Sequence, residues 1–135
     1  MRVIQDAFNH SSDDLILSFL PLYLLQQRYF LYSSILFDIP LVIVPYMLSF
    51  SAIATLNPTV VMAVPHFLET LMHRYQQQAK THIELTVTKL NSKIFTTIFG
   101  NRLRYLWTGS APISINLLEQ YKALRIPVYQ GYGTA

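Results

Sequence analysis

The chain has 135 residues, of which 52% are hydrophobic and 13% are charged, and its net charge is +3. This length suits one domain with a substantial core. The charged fraction is well below the roughly 25% of soluble domains, so the segment is largely interior or contacts a membrane or further protein. The absence of cysteine excludes a disulfide framework, a thiolate metal site and a cysteine nucleophile.

The amino-terminal half alternates between strand and helix patterns. Short apolar runs predict strands at 15–20, 41–44 and 59–64, and longer runs predict helices at 22–37, at 51–56 and after Pro65. Pro65 suits the first position of a helix, and an apolar stripe at helical spacing follows it. The polar run 76–80 indicates a bend, and the first dozen residues resemble the end of a helix whose packing partner is absent.

The carboxy-terminal half continues the alternation, with a helix-length run at 83–99, a strand at 103–107, a helix at 114–124 and a short strand at 128–129. Strands that alternate with helices predict right-handed crossovers and a parallel sheet. The predicted fold is therefore α/β, a mostly parallel sheet with crossover helices. In open sheets of this kind, ligands bind beyond the carboxyl ends of the strands.

Two turns of small residues fall at predicted strand ends, 109–112 (GSAP) and 131–133 (GYG). Glycine at such a point lets the backbone approach a ligand where a Cβ would collide, and the ring of Tyr132 can stack on a purine. The helix between the turns brings them onto neighbouring strands, so together they predict two walls of one pocket. Taken singly, the first turn also suits an ordinary tight connection, and Tyr132 also suits packing.

The distribution of charge leaves two interpretations open. Eight basic side chains and two acidic ones lie between Arg74 and Arg125. This basic half could face phosphates or anionic lipid, or it could be a solvated helix face. Histidine stands at positions 10, 66, 73 and 82, without the spacing of metal ligands, which predicts surface or capping roles.

The apolar run 39–56 raises the alternative of a small membrane protein. A spanning helix needs about 20 such residues. Pro40 and Pro45 interrupt the run and Asn57-Pro58 closes it, which favours a strand, a turn and a short helix instead. The first ten residues do not show the pattern of a signal peptide.

Four segments, taken in order, resemble one family. They are 17–22 (LSFLPL), 57–65 (NPTVVMAVP), 102–114 (RLRYLWTGSAPIS) and 126–133 (IPVYQGYG). Together they are similar to the middle of an AMP-forming acyl-CoA synthetase, in the long-chain fatty acid–CoA ligase branch of the adenylate-forming superfamily. The resemblance covers nearly the whole chain. It implies that residues 1–135 are one partial AMP-binding domain segment, without the upstream phosphate loop and the downstream C-terminal subdomain.

The resemblance also implies roles for particular residues. The adenine and AMP site would include Gly109, Ser110, Ala111, Gly131, Tyr132, Gly133 and Thr134. Tyr132 would stack on the adenine, and Trp107 would help to wall the acyl tunnel. The resemblance assigns no catalytic residue and no metal ligand to this chain.

The family's reaction has two steps. A carboxylate attacks the α-phosphate of Mg-ATP to give acyl-AMP and pyrophosphate, and the thiolate of CoA then displaces AMP. The implied cofactors and substrates are therefore ATP, Mg²⁺, CoA and a fatty acid. The implied partners include the missing remainder of the enzyme and no nucleic acid, and the implied location is cytoplasmic, with peripheral membrane contact left open.

Several departures from the family pattern lead us to expect that the isolated chain is inactive. Ala135 stands where the family has Thr, Thr134 lies one residue early, and the family's Mg²⁺-binding Glu would come next. Leu24 stands where the branch usually has His, while Arg28 matches its basic residue. The alternatives are a nucleotide- or acyl-binding module, half of a split enzyme, a remnant without function, and the small membrane protein.

Overall fold

The computed structural model of the chain describes residues 2–81 and 87–131. Its strands are β1 (Ile16–Ser18), β2 (Leu41–Ile43), β3 (Val60–Ala63), β4 (Tyr105–Gly109) and β5 (Val128–Gly131). Its helices are α1 (Arg2–Phe8), α2 (Leu25–Phe37), α3 (Ser49–Leu56), α4 (Pro65–Thr81), α5 (Val87–Phe99) and α6 (Ile115–Ala123), and a 3-10 turn at Tyr46–Leu48 precedes α3.

The five strands form one sheet in the order β2-β1-β3-β4-β5, and every pair is parallel. The predicted α/β fold with a parallel sheet is confirmed. The chain moves outward from β1 to β2 and then returns past β1 to β3, so the strand order reverses between β1 and β3. Sheets with this reversal bind ligands at the edge formed by the carboxyl ends of their strands.

Alternating strand residues face two apolar cores. Leu17, Val61 and Leu106 face the larger core, which α3, α4, α5 and α6 cover. The opposite face of the sheet packs against α1 and α2. Its smaller core comprises Ile16, Phe30, Ile39, Val60, Met62 and Tyr105. The sheet is therefore covered by helices on both faces, as a parallel sheet requires.

Helix α2 departs from the usual amphipathic arrangement. Its buried residues are Gln27, Phe30 and Ser33, whereas Leu25, Tyr32, Ile35 and Leu36 are exposed on its outer side. Two polar side chains thus face the sheet beside Phe30, while several apolar ones face away from it, which departs from the ordinary pattern of a surface helix.

Three details of the predicted elements are corrected. Residues 76–80 do not bend, because α4 continues to Thr81, and glutamine and lysine are good helix formers even on a fully solvated face. The start of the chain has a packing partner: the ring of Phe8 lies 4.8 Å from the rings of Tyr105 and Tyr129. Strands β4 and β5 each extend two residues beyond their predicted ends, to Gly109 and Gly131.

The apolar run 39–56 is divided among β2, the 3-10 turn and α3. Within residues 2–81 and 87–131, none of the helices combines the length and the apolar character needed to cross a bilayer.

Candidate functional site

Two glycines lie side by side at the carboxyl edge of the sheet. Gly109 ends β4, Gly131 ends β5, and the two residues are partners in the parallel register. The side chain of Gln130 donates a hydrogen bond of 3.3 Å to the carbonyl of Ala111 and so joins the turn after β4 to β5. The first residues of the two predicted turns, Gly109 and Gly131, are therefore adjacent in the fold.

The turn after β4 exposes its backbone. Ser110 has a φ of 69°, in the left-handed region that is uncommon for residues other than glycine. Ser110 and Ala111 are both exposed. The turn then leads into α6, where the hydroxyl of Ser114 accepts a hydrogen bond of 3.2 Å from the backbone N–H of Leu117 and caps the helix. Unpaired backbone groups at a strand end can hydrogen-bond the edge of a flat heterocycle.

The side chain of Gln26 fills the space beside Gly109. A Cβ built on Gly109 would lie 1.7 Å from Nε2 of Gln26, so the amide of this glutamine rests directly against the glycine. Gln26 belongs to the first turn of α2 and is half-buried. Any side chain larger than hydrogen at position 109 would therefore collide with Gln26 and force it to move.

The indole of Trp107 lies beneath Gly131. A Cβ built on Gly131 would be 3.0 Å from the indole nitrogen Nε1. On its other sides, the indole contacts the rings of Phe8 and Phe30, with centroid distances of 5.5 and 5.9 Å. Nε1 is buried and has no hydrogen-bond partner among the residues that the structure describes.

The structure brings together Trp107, Gly109, Ser110, Ala111 and Gly131 at the carboxyl ends of β4 and β5. The other three predicted site residues, Tyr132, Gly133 and Thr134, lie outside the described residues.

Sequence reasoning did not identify the two glutamines of α2. Gln26 lies against Gly109, and Gln27 is buried, with its Oε1 accepting a hydrogen bond from the hydroxyl of Ser18 at the end of β1. Two consecutive amides at the start of a mostly apolar helix were the signal available. Glutamine is usually exposed, so the residue type by itself does not indicate burial or a role at the site.

A second polar cluster lies at the opposite, amino-terminal edge of the sheet. Nε2 of His10 makes a short hydrogen bond with the hydroxyl of Tyr105, while Nδ1 lies 3.2 Å from Oε1 of Gln5. His10 is only 5% exposed, so the predicted surface or capping role is wrong for this histidine. Burial lowers the pKa of its imidazole, and nearby Arg104 acts in the same direction against the opposing effect of Asp14.

Asp14 and Arg104 connect this edge to α1. Nη1 of Arg104 donates to the carboxylate of Asp14 at 2.6 Å, and Nη2 donates to the carbonyl of Phe8 at 2.7 Å. Burial by itself would raise the pKa of the Asp14 carboxyl. Hydrogen bonds from the Thr59 and Arg104 side chains and from a backbone N–H outweigh burial and hold that pKa below its usual value. The cluster fastens α1 to the start of β4, far from the glycine pair.

The described residues do not fit a metal ion. Within 2–81 and 87–131, no three His, Asp or Glu side chains come close enough to share a cation, and Mg²⁺ prefers several carboxylate and other oxygen ligands.

Two open clefts, of about 360 and 310 Å³, lie along α6. Neither cleft is lined by Gly109 or Gly131.

The sequence profile of the AMP-binding enzyme family matches residues 1–135. The chain therefore belongs to the AMP-binding enzyme family, in agreement with its fold.

Solved structures with the same fold are adenylate-forming enzymes. The adenylation domain of a carboxylate reductase from Mycobacterium chelonae is 25% identical, with a TM-score of 0.73 over 90% of this chain and 20% of that one. A long-chain-fatty-acid-CoA ligase from Archaeoglobus fulgidus is 18% identical, with a TM-score of 0.70 over 97% of this chain and 25% of that one. The corresponding domain of a carboxylic acid reductase from Segniliparus rugosus, in complex with AMP and a co-purified carboxylic acid, is 21% identical, with a TM-score of 0.71 over 90% and 21%. The chain thus spans about a fifth to a quarter of the length of these proteins.

Proposed function

We propose that the chain forms part of the nucleotide and acyl walls of an enzyme that activates fatty acids through acyl-AMP, as long-chain fatty acid–CoA ligases do. The observation that carries the proposal is the Gly109–Gly131 pair, where two positions without a Cβ adjoin at the carboxyl ends of parallel strands. Membership of the AMP-binding family over the whole chain supports the nucleotide part. The likeness in fold to the Archaeoglobus ligase supports a fatty acid as the acid.

The proposed reaction begins when a carboxylate oxygen attacks the α-phosphorus of ATP and pyrophosphate leaves. The thiolate of CoA then attacks the acyl carbonyl and AMP leaves. In this proposal the backbone of residues 109–111 lines the adenine, Tyr132 stacks on it, and Gly131, Gly133 and Thr134 keep backbone close to the nucleotide. Trp107 walls the acyl chain.

Mg²⁺ accompanies ATP in the proposed reaction and would neutralise phosphate charge. Among the described residues, no three His, Asp or Glu side chains come close enough to bind it together. The contribution of this chain is therefore the binding and orientation of the nucleotide and the acid.

Titration of the chain with AMP tests the proposal, with the emission of Trp107 as the signal. Trp107 is the only tryptophan of the chain, and its indole contacts Gly131, so occupancy of the site should change its fluorescence. Tyr132→Ala should weaken AMP binding roughly fivefold, since it removes the proposed stacking ring. Tyr23→Ala, at a residue that is 77% exposed on the β1–α2 connection, should leave binding unchanged. A chain without saturable AMP binding, or with equal effects of the two substitutions, would refute the proposal.

A second candidate function is that of one half of a split enzyme, favoured by an apolar surface. Ile35 and Leu36 on the outer side of α2, and Met47 after β2, are 72%, 64% and 90% exposed. Apolar surface of this kind marks contact with another protein or a membrane. Co-expression with a polypeptide that supplies the remaining parts of the enzyme should restore fatty-acid-dependent ATP–pyrophosphate exchange. A Met47→Asp/Ile35→Asp variant should lose this restoration, and a variant that retains it would contradict this function.

A further inference from the structure

The larger of the two clefts along α6 combines apolar walls with two basic side chains. It has a volume of about 360 Å³, within the range of small-molecule sites. Its walls are formed by the second half of α6 and by the segment that leads into β5. The described residues that line it are Leu118, Lys122, Arg125, Ile126, Pro127 and Val128, all of them apolar or basic.

Arg125 occupies a backbone position that usually belongs to glycine. It is the second residue after α6 and has a φ of 59°. The backbone N–H groups of Arg125 and Ile126 donate to the carbonyls of Lys122 and Tyr121, at 2.9 and 3.0 Å, and so close the helix as a Schellman motif. Glycine is the usual residue at this point, because a Cβ is strained in the left-handed region. The geometry of the turn therefore favours glycine and does not account for an arginine.

The two basic side chains are available to a ligand. Among the residues that the structure describes, the Arg125 side chain makes no hydrogen bond or ion pair. Nζ of Lys122 lies 3.8 Å from Oε1 of Glu119, and these side chains are 79% and 64% exposed, so the pair contributes little. A guanidinium binds a carboxylate or a phosphate through two parallel N–H groups. The cleft thus offers an anion site next to apolar surface.

We propose that this cleft binds a dissolved anionic amphiphile, an alkyl chain that ends in a phosphate or a carboxylate. The head group lies on the two basic side chains, and the alkyl chain lies along the apolar ones. Val128 begins β5 and Gly131 ends it, so about 10 Å of strand separates the cleft from the glycine pair. The proposed site therefore lies at the opposite edge of the sheet, and it goes beyond the proposed function without depending on it.

The test titrates the full chain with octyl phosphate, octanoate, octanol and inorganic phosphate, and follows the backbone amides by NMR. The two amphiphilic anions should bind about tenfold more tightly than octanol or inorganic phosphate, because each of the latter lacks one half of the ligand. The largest shifts should fall within residues 118–128. Octanol or inorganic phosphate that bound as tightly as octyl phosphate would overturn the inference. Largest shifts at Trp107 and Gly109 would also overturn it, because they would assign binding to the glycine pair.

Arg125→Gly separates binding from folding. It should weaken the binding of octyl phosphate about tenfold, while the midpoint of urea unfolding stays the same or rises, because glycine adopts a φ of 59° without strain. Lys93→Gln is the control, since it removes one positive charge at an exposed position of α5, and it should leave binding unchanged. Undiminished binding in Arg125→Gly, or an equal loss in Lys93→Gln, would refute the proposed role of Arg125.

Vesicles of phosphatidylglycerol distinguish a dissolved ligand from a membrane surface, because both present phosphate beside alkyl chains. The chain should bind octyl phosphate in the absence of vesicles, and this binding should saturate at one molecule per chain. A chain that bound the vesicles and none of the dissolved amphiphiles would overturn the inference, since its basic side chains would then act as a surface and not as a ligand cleft.

Discussion

Ser33 and Ser34 are neighbours on α2 with opposite hydrogen-bonding states. The hydroxyl of Ser33 is fully buried and has no partner among the described residues, whereas the hydroxyl of Ser34 donates to the carbonyl of Leu31 at 2.8 Å. An unsatisfied buried hydroxyl destabilises the fold, and alanine has the higher helix propensity. Ser33 therefore opposes the stability of the helix that carries it.

We expect Ser33→Ala to raise the free energy of unfolding by about 1 kcal/mol, as measured by urea denaturation. Ser34→Ala is the matched control, since it gains the same propensity but loses a hydrogen bond, and it should raise stability less. If Ser33→Ala destabilises the chain more than Ser34→Ala does, the buried hydroxyl has a partner in solution.

Protonation of His10 should weaken the fold. Its pKa in the folded chain lies below the usual 6.5, so the unfolded chain takes up a proton at a higher pH than the folded chain does. The stability that the neutral imidazole contributes is present above pH 6.5, the usual pKa of histidine. It is lost as the pH falls from 6.5 to the lower pKa of His10 in the folded chain. The carboxyl of Asp14 also has a lowered pKa, but its protonation weakens the fold only below pH 3.8, the usual pKa of an aspartate.

The free energy of unfolding should therefore decrease as the pH falls below about 6.5. The decrease should be smaller in His10→Gln, which keeps a polar side chain without the titration. His73→Gln, at an exposed position of α4, should retain the decrease of the unaltered chain. Parallel pH profiles for His10→Gln and the unaltered chain would show that His10 does not cause the effect.

At the scale of elements, α1 is held to the sheet by few interactions. Arg104 reaches both Asp14 and the last residue of α1, Phe8, and the ring of Phe8 packs on three aromatic side chains of β4 and β5. The short helix does not have enough length to be stable by itself in water. Its order therefore depends on this contact.

Arg104→Gln should raise the hydrogen-exchange rates of the amides of α1 while the amides of β3 keep their protection, since local opening follows the loss of local contacts. Lys122→Gln, on the exposed side of α6, is the control and should change neither set. Uniformly faster exchange in Arg104→Gln would indicate that the residue stabilises the whole domain and not α1 in particular.

The order and type of the elements could be predicted because the strands lie in short apolar runs and the crossovers have helix length. The extent of α4 could not, since the polarity of 76–80 is equally consistent with a bend and with a solvated helix face. The burial of His10 and Gln27 could not be predicted from the sequence either. Their partners, Tyr105 and Ser18, come from separate elements that only the sheet topology brings near them.

The crossover rule predicts that the ends of β4 and β5 are neighbours, and the pairing of Gly109 with Gly131 confirms this. The position of the Gln26 side chain against Gly109 could not be predicted from the sequence. It depends on how α2 crosses the ends of strands that are distant from it in sequence.

At the scale of the whole molecule, the chain covers 25% of the Archaeoglobus ligase and 20% of the Mycobacterium chelonae domain. The turn at 109–112 contributes backbone groups and no charged side chain. Transfer of a phosphoryl group requires cations placed where charge develops. We expect the 135-residue chain to show no fatty-acid-dependent ATP–pyrophosphate exchange, measured against a heat-denatured sample. Exchange above that background would contradict this expectation.

The polar residues on the inner face of α2 have a consequence for the way the helix is held. Turning α2 about its own axis by roughly half a turn would bury Ile35 and Leu36 and release the amide nitrogen of Gln27 to water. The same turn would expose Phe30 and bury the charge of Arg28. Phe30, packed against Trp107, and the hydrogen bond from Ser18 select the observed setting. A partner that covered the outer side of this helix would therefore remove the apolar exposure that the observed orientation leaves.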